Sequence, residues 1–147
     1  MALKVLFLPK YPEIGASSRY RVYQFLPHLR ALGIKCDVSS FYSPKHFRSI
    51  NQKGGTAKKL VYSLGAFARR LAIACRSGKY DIVYFQREAL PAGPLFIENL
   101  ACKLGAKTVL DLDDALFIFK PSPKTSLFGR LKDHGRINKI LANVDAV

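Results

Sequence analysis

Acidic residues are scarce in this chain: 10 Asp and Glu stand against 24 Lys and Arg, a formal net charge of +14. A surface so short of carboxylates attracts polyanions, which leaves nucleic acid, anionic lipid headgroups and phosphorylated substrates as partner classes. Cysteine is scarce too. Cys36, Cys75 and Cys102 are odd in number and far apart, which excludes a disulfide scaffold and a close-paired zinc site and leaves three small, buried hydrophobes. No apolar run approaches the roughly 20 residues of a spanning helix. The N-terminal run at residues 3–8 is also shorter than the apolar part of a secretory signal, so the expectation is a cytoplasmic protein. The chain has no internal repeat, no low-complexity tract, no Gly-x-Gly-x-x-Gly fingerprint and no Gly-Lys-Ser/Thr phosphate loop. No recognition helix, RNP-like aromatic strand or zinc finger is legible either, so no nucleic acid is expected among its partners despite the charge.

What is present is a regular alternation of strand and helix patterns. Residues 3–8, Leu-Lys-Val-Leu-Phe-Leu, form a nearly continuous apolar run of the kind buried on both faces of a parallel sheet. A loop over residues 9–18 follows, ending in two candidate N-caps, Ser17 and Ser18. Apolar residues then recur at helical spacing through Tyr20, Tyr23, Leu26, Leu29 and Leu32, with Pro27 predicting a kink or a late start and Gly33 a stop. Residues 34–41 give a second strand, and residues 43–56, polar, basic and ending in Gly54-Gly55, an exposed loop. Over residues 57–75, Leu60, Leu64, Phe67, Leu71 and Ala74 keep helical spacing with Lys58, Arg69 and Arg76 roughly opposite, the pattern of an amphipathic helix with a basic back. Residues 80–85 predict a third strand, 94–104 a helix opened by proline and closed by Gly105, and 107–112 a fourth strand. Gly129 and Gly135 interrupt residues 126–143, so only their second part, with Ile137, Ile140 and Leu141, predicts a helix. Residues 145–147 have the look of a fifth strand just begun. Such alternation implies one α/β domain over residues 1–147, a Rossmann-like parallel sheet flanked by helices, for which we expect the strand order 3-2-1-4-5.

In an open parallel sheet, ligands bind beyond the carboxyl ends of the strands, where loops converge and helix N-termini point. Three segments bring polar residues to that edge. In the first, Gly15 permits close backbone approach, Ser17 and Ser18 offer hydroxyls, and Arg19 and Arg21 suit a phosphate; an ordinary strand-to-helix turn with a solvated arginine pair explains the same residues equally well. In the second, Gln86-Arg87-Glu88 puts a cation and a carboxylate after the third strand, as a site or as an exposed ion pair. The third is Asp111-Leu-Asp113-Asp114 at the end of the fourth strand. Three carboxylates in four residues repel one another, and crowding them costs stability unless cations, hydrogen bonds or a substrate offset it, which favours a functional reading over N-caps for the next turn.

With these segments in this order, and with Val109-Leu-Asp-Leu-Asp-Asp-Ala115 as the most specific piece, the whole chain resembles the N-terminal domain of family 4 glycosyltransferases. The glycine loop departs from the pattern, having one glycine where many members have two. The resemblance implies the first of two Rossmann-like domains of a GT-B fold, binding the acceptor, while an absent C-terminal domain with a Glu-x7-Glu region binds most of the nucleotide-sugar donor. It implies transfer with retention of configuration, no bound metal and no cofactor. Residue by residue, it puts Gly15 near the donor phosphate, Asp113 near the reacting sugar with Asp114 orienting it, and Arg19, Arg21, Arg87 and Glu88 along the acceptor side, with Ser17 and Ser18 beside them. On this reading the chain is a fragment or a half-enzyme, inactive by itself. Its acceptor is a sugar or a lipid-linked or envelope species.

Two other readings compete. Asp111-Leu-Asp113 also fits the Asp-x-Asp of GT-A glycosyltransferases, in which two carboxylates hold a divalent cation on the nucleotide diphosphate. The charge alone fits a non-catalytic, basic α/β module that binds nucleic acid. An anionic membrane surface is a further candidate partner: the basic face of the helix over residues 57–75, helped by Lys45, Lys53 and Lys59, is expected to hold the protein on the inner face of a membrane, or else to be solvated.

Overall fold

A computed structural model describes residues 2–50, 56–90, 96–112 and 136–147. Five-residue strand β1 (Lys4–Leu8) leads through a loop to α1 (Ala16–Arg21), a short 3₁₀ turn (Tyr23–Phe25) and α2 (Leu26–Ala31). Then come β2 (Lys35–Val38), α3 (Pro44–Ile50), α4 (Thr56–Ala74), a second 3₁₀ turn (Ser77–Lys79), β3 (Ile82–Gln86), α5 (Phe96–Lys103), β4 (Lys107–Asp111) and α6 (Arg136–Leu141). The protein is α/β and Rossmann-like, with a four-stranded, all-parallel sheet flanked by helices. Ala146 forms an isolated parallel bridge to Val109, so the terminal segment begins to pair along β4.

The strand order is β2-β1-β3-β4, not the expected 3-2-1-4. Burial explains the difference. Val5 to Leu8 of β1 are all buried, as are Val83, Phe85 and Gln86 of β3, and these runs take the centre of the sheet. In β2 the polar residues Lys35 and Asp37 are exposed, which suits an edge. The order reverses between β1 and β3, whose registers run from Val5 opposite Ile82 to Leu8 opposite Phe85. That reversal is the crevice where open α/β sheets bind ligands.

Alternation along the strands divides the core between the two faces. Val5 and Phe7 pack with Val22, Leu26 and Cys36 under α1 and α2. Leu6, Leu8, Val83, Phe85 and Leu110 pack with Ala66, Ala74, Ile97, Ala101 and Ile140 under α4, α5 and α6. Full burial of one such leucine or phenylalanine contributes about 2 kcal/mol. Only Cys36 fits the expectation of buried thiols: Cys102 is half-buried and Cys75 exposed.

The first helical segment breaks as Pro27 predicts, and two other helices depart from expectation. The break falls at Val22 (φ −127°, ψ −64°), and α2 restarts with Pro27 in its opening turn, the late start that proline imposes. Residues 43–50 are not loop: the Ser43 hydroxyl accepts the His46 N–H at 3.2 Å, Pro44 opens α3, and His46 and Phe47 enter an aromatic cluster with Tyr11, Tyr42 and Tyr62. That capping and ring packing outweigh the segment's polar composition.

The largest correction is α4, which keeps Leu71 and Ala74 on the core as expected but turns its first apolar residues outward. Leu60, Val61 and Leu64 are 59%, 66% and 61% exposed, while Arg70 is 2% exposed and faces the sheet between Ala66 and Ala74. The cause lies at the carboxyl edge, just past the ends of β1 and β2. Arg70 donates to the Ser39 carbonyl at 2.9 Å and to the Pro9 carbonyl at 3.0 Å, and Arg69 donates to the Ser40 and Phe41 carbonyls, each at 2.8 Å. These charge-assisted bonds fix the helix by its arginines, and Leu60 and Leu64 are left outside. The basic back expected for membrane contact is therefore in part an internal clamp. Among the described residues no helix is long and apolar enough to cross a membrane.

Candidate functional site

The loops after β1 and β3 meet the end of β4 at one edge of the sheet, and a single buried amide joins the first two. Gln86, the last residue of β3, is wholly buried. Its Oε1 accepts the Ser18 hydroxyl at 2.6 Å, and its Nε2 donates to the Ser17 hydroxyl at 2.8 Å. Ser18 in turn accepts the Tyr11 N–H at 3.0 Å, which closes the β1 loop over its own helix. The Ser18 hydroxyl is thus spent on the scaffold, while the part-exposed Ser17 hydroxyl accepts one bond from it. Neither caps α1, whose N-cap is Gly15 without a side-chain bond, and Ser18 has no exposed surface to offer a ligand.

Gly15 is needed for a contact inside this loop. A Cβ there would stand 2.6 Å from the Tyr11 Cβ and 3.2 Å from the Pro12 carbonyl oxygen. Its N–H donates to that same carbonyl at 2.8 Å, so the turn is drawn tight where a side chain would sit.

Arg21 crosses from α1 to the end of β4 and forms an ion pair with Asp111. The guanidinium is part-exposed and the carboxylate largely buried, so the pair borders the edge and leaves Arg21 one open side. Asp111 Oδ2 is buried and has no hydrogen-bond partner among the described residues. Arg87, directly after β3, takes the left-handed conformation at φ 62°, rare for a residue with a side chain, and its N–H donates to the Asp111 carbonyl at 2.9 Å. Just beyond, Glu98 of α5 is buried and accepts the Ala89 N–H at 2.9 Å, which anchors the segment that carries Arg87 and Glu88.

Gly15, Ser17, Ser18, Arg21, Arg87 and Asp111 are therefore brought together. Arg19 is not; it is exposed and lies over the Tyr20 ring, 5.3 Å from its centroid. Glu88 is half-buried and makes no ion pair among the described residues, so the alternative of an exposed Arg87–Glu88 ion pair is not found. Asp113 and Asp114 lie outside the described residues, although Asp111, two positions before Asp113, ends β4 at this edge. Sequence reasoning passed over Gln86 and Glu98, the two buried polar residues that hold the loops. Glu98 carried a faint signal as the one acidic residue in an otherwise apolar helix start.

Chemically, the edge presents cations on a preorganised backbone. The half-exposed Arg21 and Arg87 suit an anionic or phosphorylated ligand, with Asp111 limiting the net positive charge. Among the described residues no three potential metal ligands come together. Compared with known proteins, the chain matches no family model, and no curated protein is recognisably similar to it.

Proposed function

We propose that this chain is the acceptor-side half of a GT-B-type glycosyltransferase, which moves a sugar from a nucleotide-sugar to an acceptor without a bound metal. The observation that carries the reading is the meeting of Gly15, Arg21, Arg87 and Asp111 at the carboxyl edge, beside the β1/β3 reversal. A phosphorylated donor and a hydroxylated acceptor both need such an edge: guanidinium groups to hold phosphate, and carboxylates to orient hydroxyls or stabilise positive charge developing on the sugar. Asp113, and Asp114 with it, would supply those carboxylates. The turnover-competent enzyme requires a second domain facing this edge, to bind the nucleotide and exclude water.

A metal-dependent Asp-x-Asp centre is the weaker reading, because the Asp111 carboxylate is engaged by the Arg21 guanidinium, which puts a cation of the protein where the metal would have to bind. The test uses protein from the complete reading frame and measures nucleotide release from a panel of nucleotide-sugars with and without chelator. Asp113→Asn should lower turnover at least about a hundredfold, a loss typical of a group that stabilises transition-state charge. Asp113→Asn and Asp114→Asn proteins that are both fully active and normally folded would defeat the assignment, and activity abolished by chelator would return the Asp-x-Asp reading.

A further inference from the structure

The most anomalous surface of the molecule lies away from the carboxyl edge, on α4. At about 100° per residue, Leu60, Leu64, Phe67 and Leu71 fall on one side of this 19-residue helix, with Val61 flanking them. The second half of that side is partly covered: Leu71 packs on the core, and the Phe67 ring lies 5.7 Å from that of Phe96 in α5. The first half has no cover. Leu60, Val61 and Leu64 stand out as a ridge in solvent. Arg69 and Arg70 fix the helix by its other side, so rotation cannot hide the ridge without breaking four hydrogen bonds.

Charge tells what covers it. Between Asp37 and Asp81 the chain has nine Lys and Arg and not one Asp or Glu. Lys45 and Arg48 are exposed on α3, which packs beside α4 through the His46 and Tyr62 rings, 5.5 Å apart. Lys58 and Lys59 belong to the first turns of α4 itself. Between the two helices lies a cavity of about 400 Å³ whose lining includes Ser43, His46, Val61, Tyr62 and Arg69. An apolar ridge beside a cationic surround matches the acyl region and the surface charge of an anionic bilayer, and the recess between the helices has room for part of a lipid.

We propose that α4 is a membrane-docking helix, lying in the plane of an anionic bilayer with Leu60, Val61 and Leu64 inserted below the headgroups and the α3–α4 cations at the phosphates. The proposal stands apart from the transferase reading, since docking requires neither donor nor acceptor. It also differs from attachment by a basic helix face, because here the leucines enter the lipid.

The test is sedimentation of the full chain with vesicles of phosphatidylcholine alone and of phosphatidylcholine and phosphatidylglycerol in equal amounts. Each basic residue at an anionic surface strengthens partitioning about fivefold, so the chain should pellet with the mixed vesicles at low salt, stay in solution with the neutral ones, and be released by salt. Leu60→Ser/Leu64→Ser should weaken binding to the mixed vesicles about tenfold or more while leaving the melting temperature unchanged, because both side chains are already in water. Equal pelleting with the two vesicle types, or a double variant that binds as well as the parent, overturns the proposal. So does a chain that ignores vesicles but self-associates in sedimentation equilibrium until Leu60→Ser/Leu64→Ser makes it monomeric, which assigns the ridge to a second copy.

Discussion

The Ser18 hydroxyl donates to the Gln86 amide oxygen at 2.6 Å, joining two loops 68 residues apart in the chain at a position from which water is excluded. Removing either partner strands the other. Gln86→Leu should destabilise the fold by about 1–3 kcal/mol, the cost of leaving buried polar groups unmade. Ser18→Ala should cost a similar amount, and a double-mutant cycle by urea denaturation should give a coupling of about 1 kcal/mol. Strictly additive losses would mean that the contact carries no energy of its own.

Arg70 should be among the least replaceable residues outside the hydrophobic core. Arg70→Met keeps much of the side-chain volume but abandons the Ser39 and Pro9 carbonyls, and should lose about 3 kcal/mol. Arg70→Lys should recover less than half of that, because one ammonium lacks the planar fork that spans two carbonyls. Burial, with repulsion from Arg69 added, already lowers the guanidinium pKa, so an added positive charge nearby should destabilise further. Chemical denaturation of the three proteins side by side checks the order.

Acid should loosen the carboxyl-terminal segment first. The Thr108 N–H, the Lys107 ammonium and the Thr108 hydroxyl hold the Asp145 carboxyl down to about 2 from an ordinary 3.8. A carboxyl depressed on folding contributes stability that is fully present above its unfolded pKa and is lost as pH falls through the folded one. Asp145→Asn should therefore melt below the parent at pH 7, with the gap narrowing between pH 3.8 and about 2. A gap that is constant through that range would assign Asp145 a role other than as an ionised acceptor.

At Arg87 the backbone can be tested apart from the side chain. Its φ of 62° is costly for any residue with a Cβ. Both Arg87→Gly and Arg87→Ala delete the guanidinium, but only glycine relieves the strain. The glycine protein should be the more stable of the two by about 1 kcal/mol, measured as the difference in urea midpoint at equal slope.

The strand-helix alternation, the stops at Gly33 and Gly105 and the convergence of the first two loops on the end of β4 were legible, because apolar periodicity and chain direction determine them locally. The strand order was not. Placing β3 against β1 requires comparing how apolar whole strands are, and the exposed Lys35 and Asp37 of β2 were the overlooked clue. In α4 the periodicity places Leu71 and Ala74 correctly but scores Leu60 and Leu64 as core, because it is blind to the carbonyls past β1 and β2 that draw Arg70 inward. Ser17 and Ser18 look alike as caps or ligands in sequence, and only the structure shows that neither caps α1 and that Ser18 is committed to the buried Gln86.

The buried guanidinium of Arg70 also makes two distant surfaces into one machine part. Pro9, whose carbonyl it grips, opens the loop that leads to Gly15 and Ser18, and the same helix turn that carries Arg70 continues outward to Phe67 and Leu64. The outer leucines and the loop after β1 are thus tied to one another by a single buried side chain.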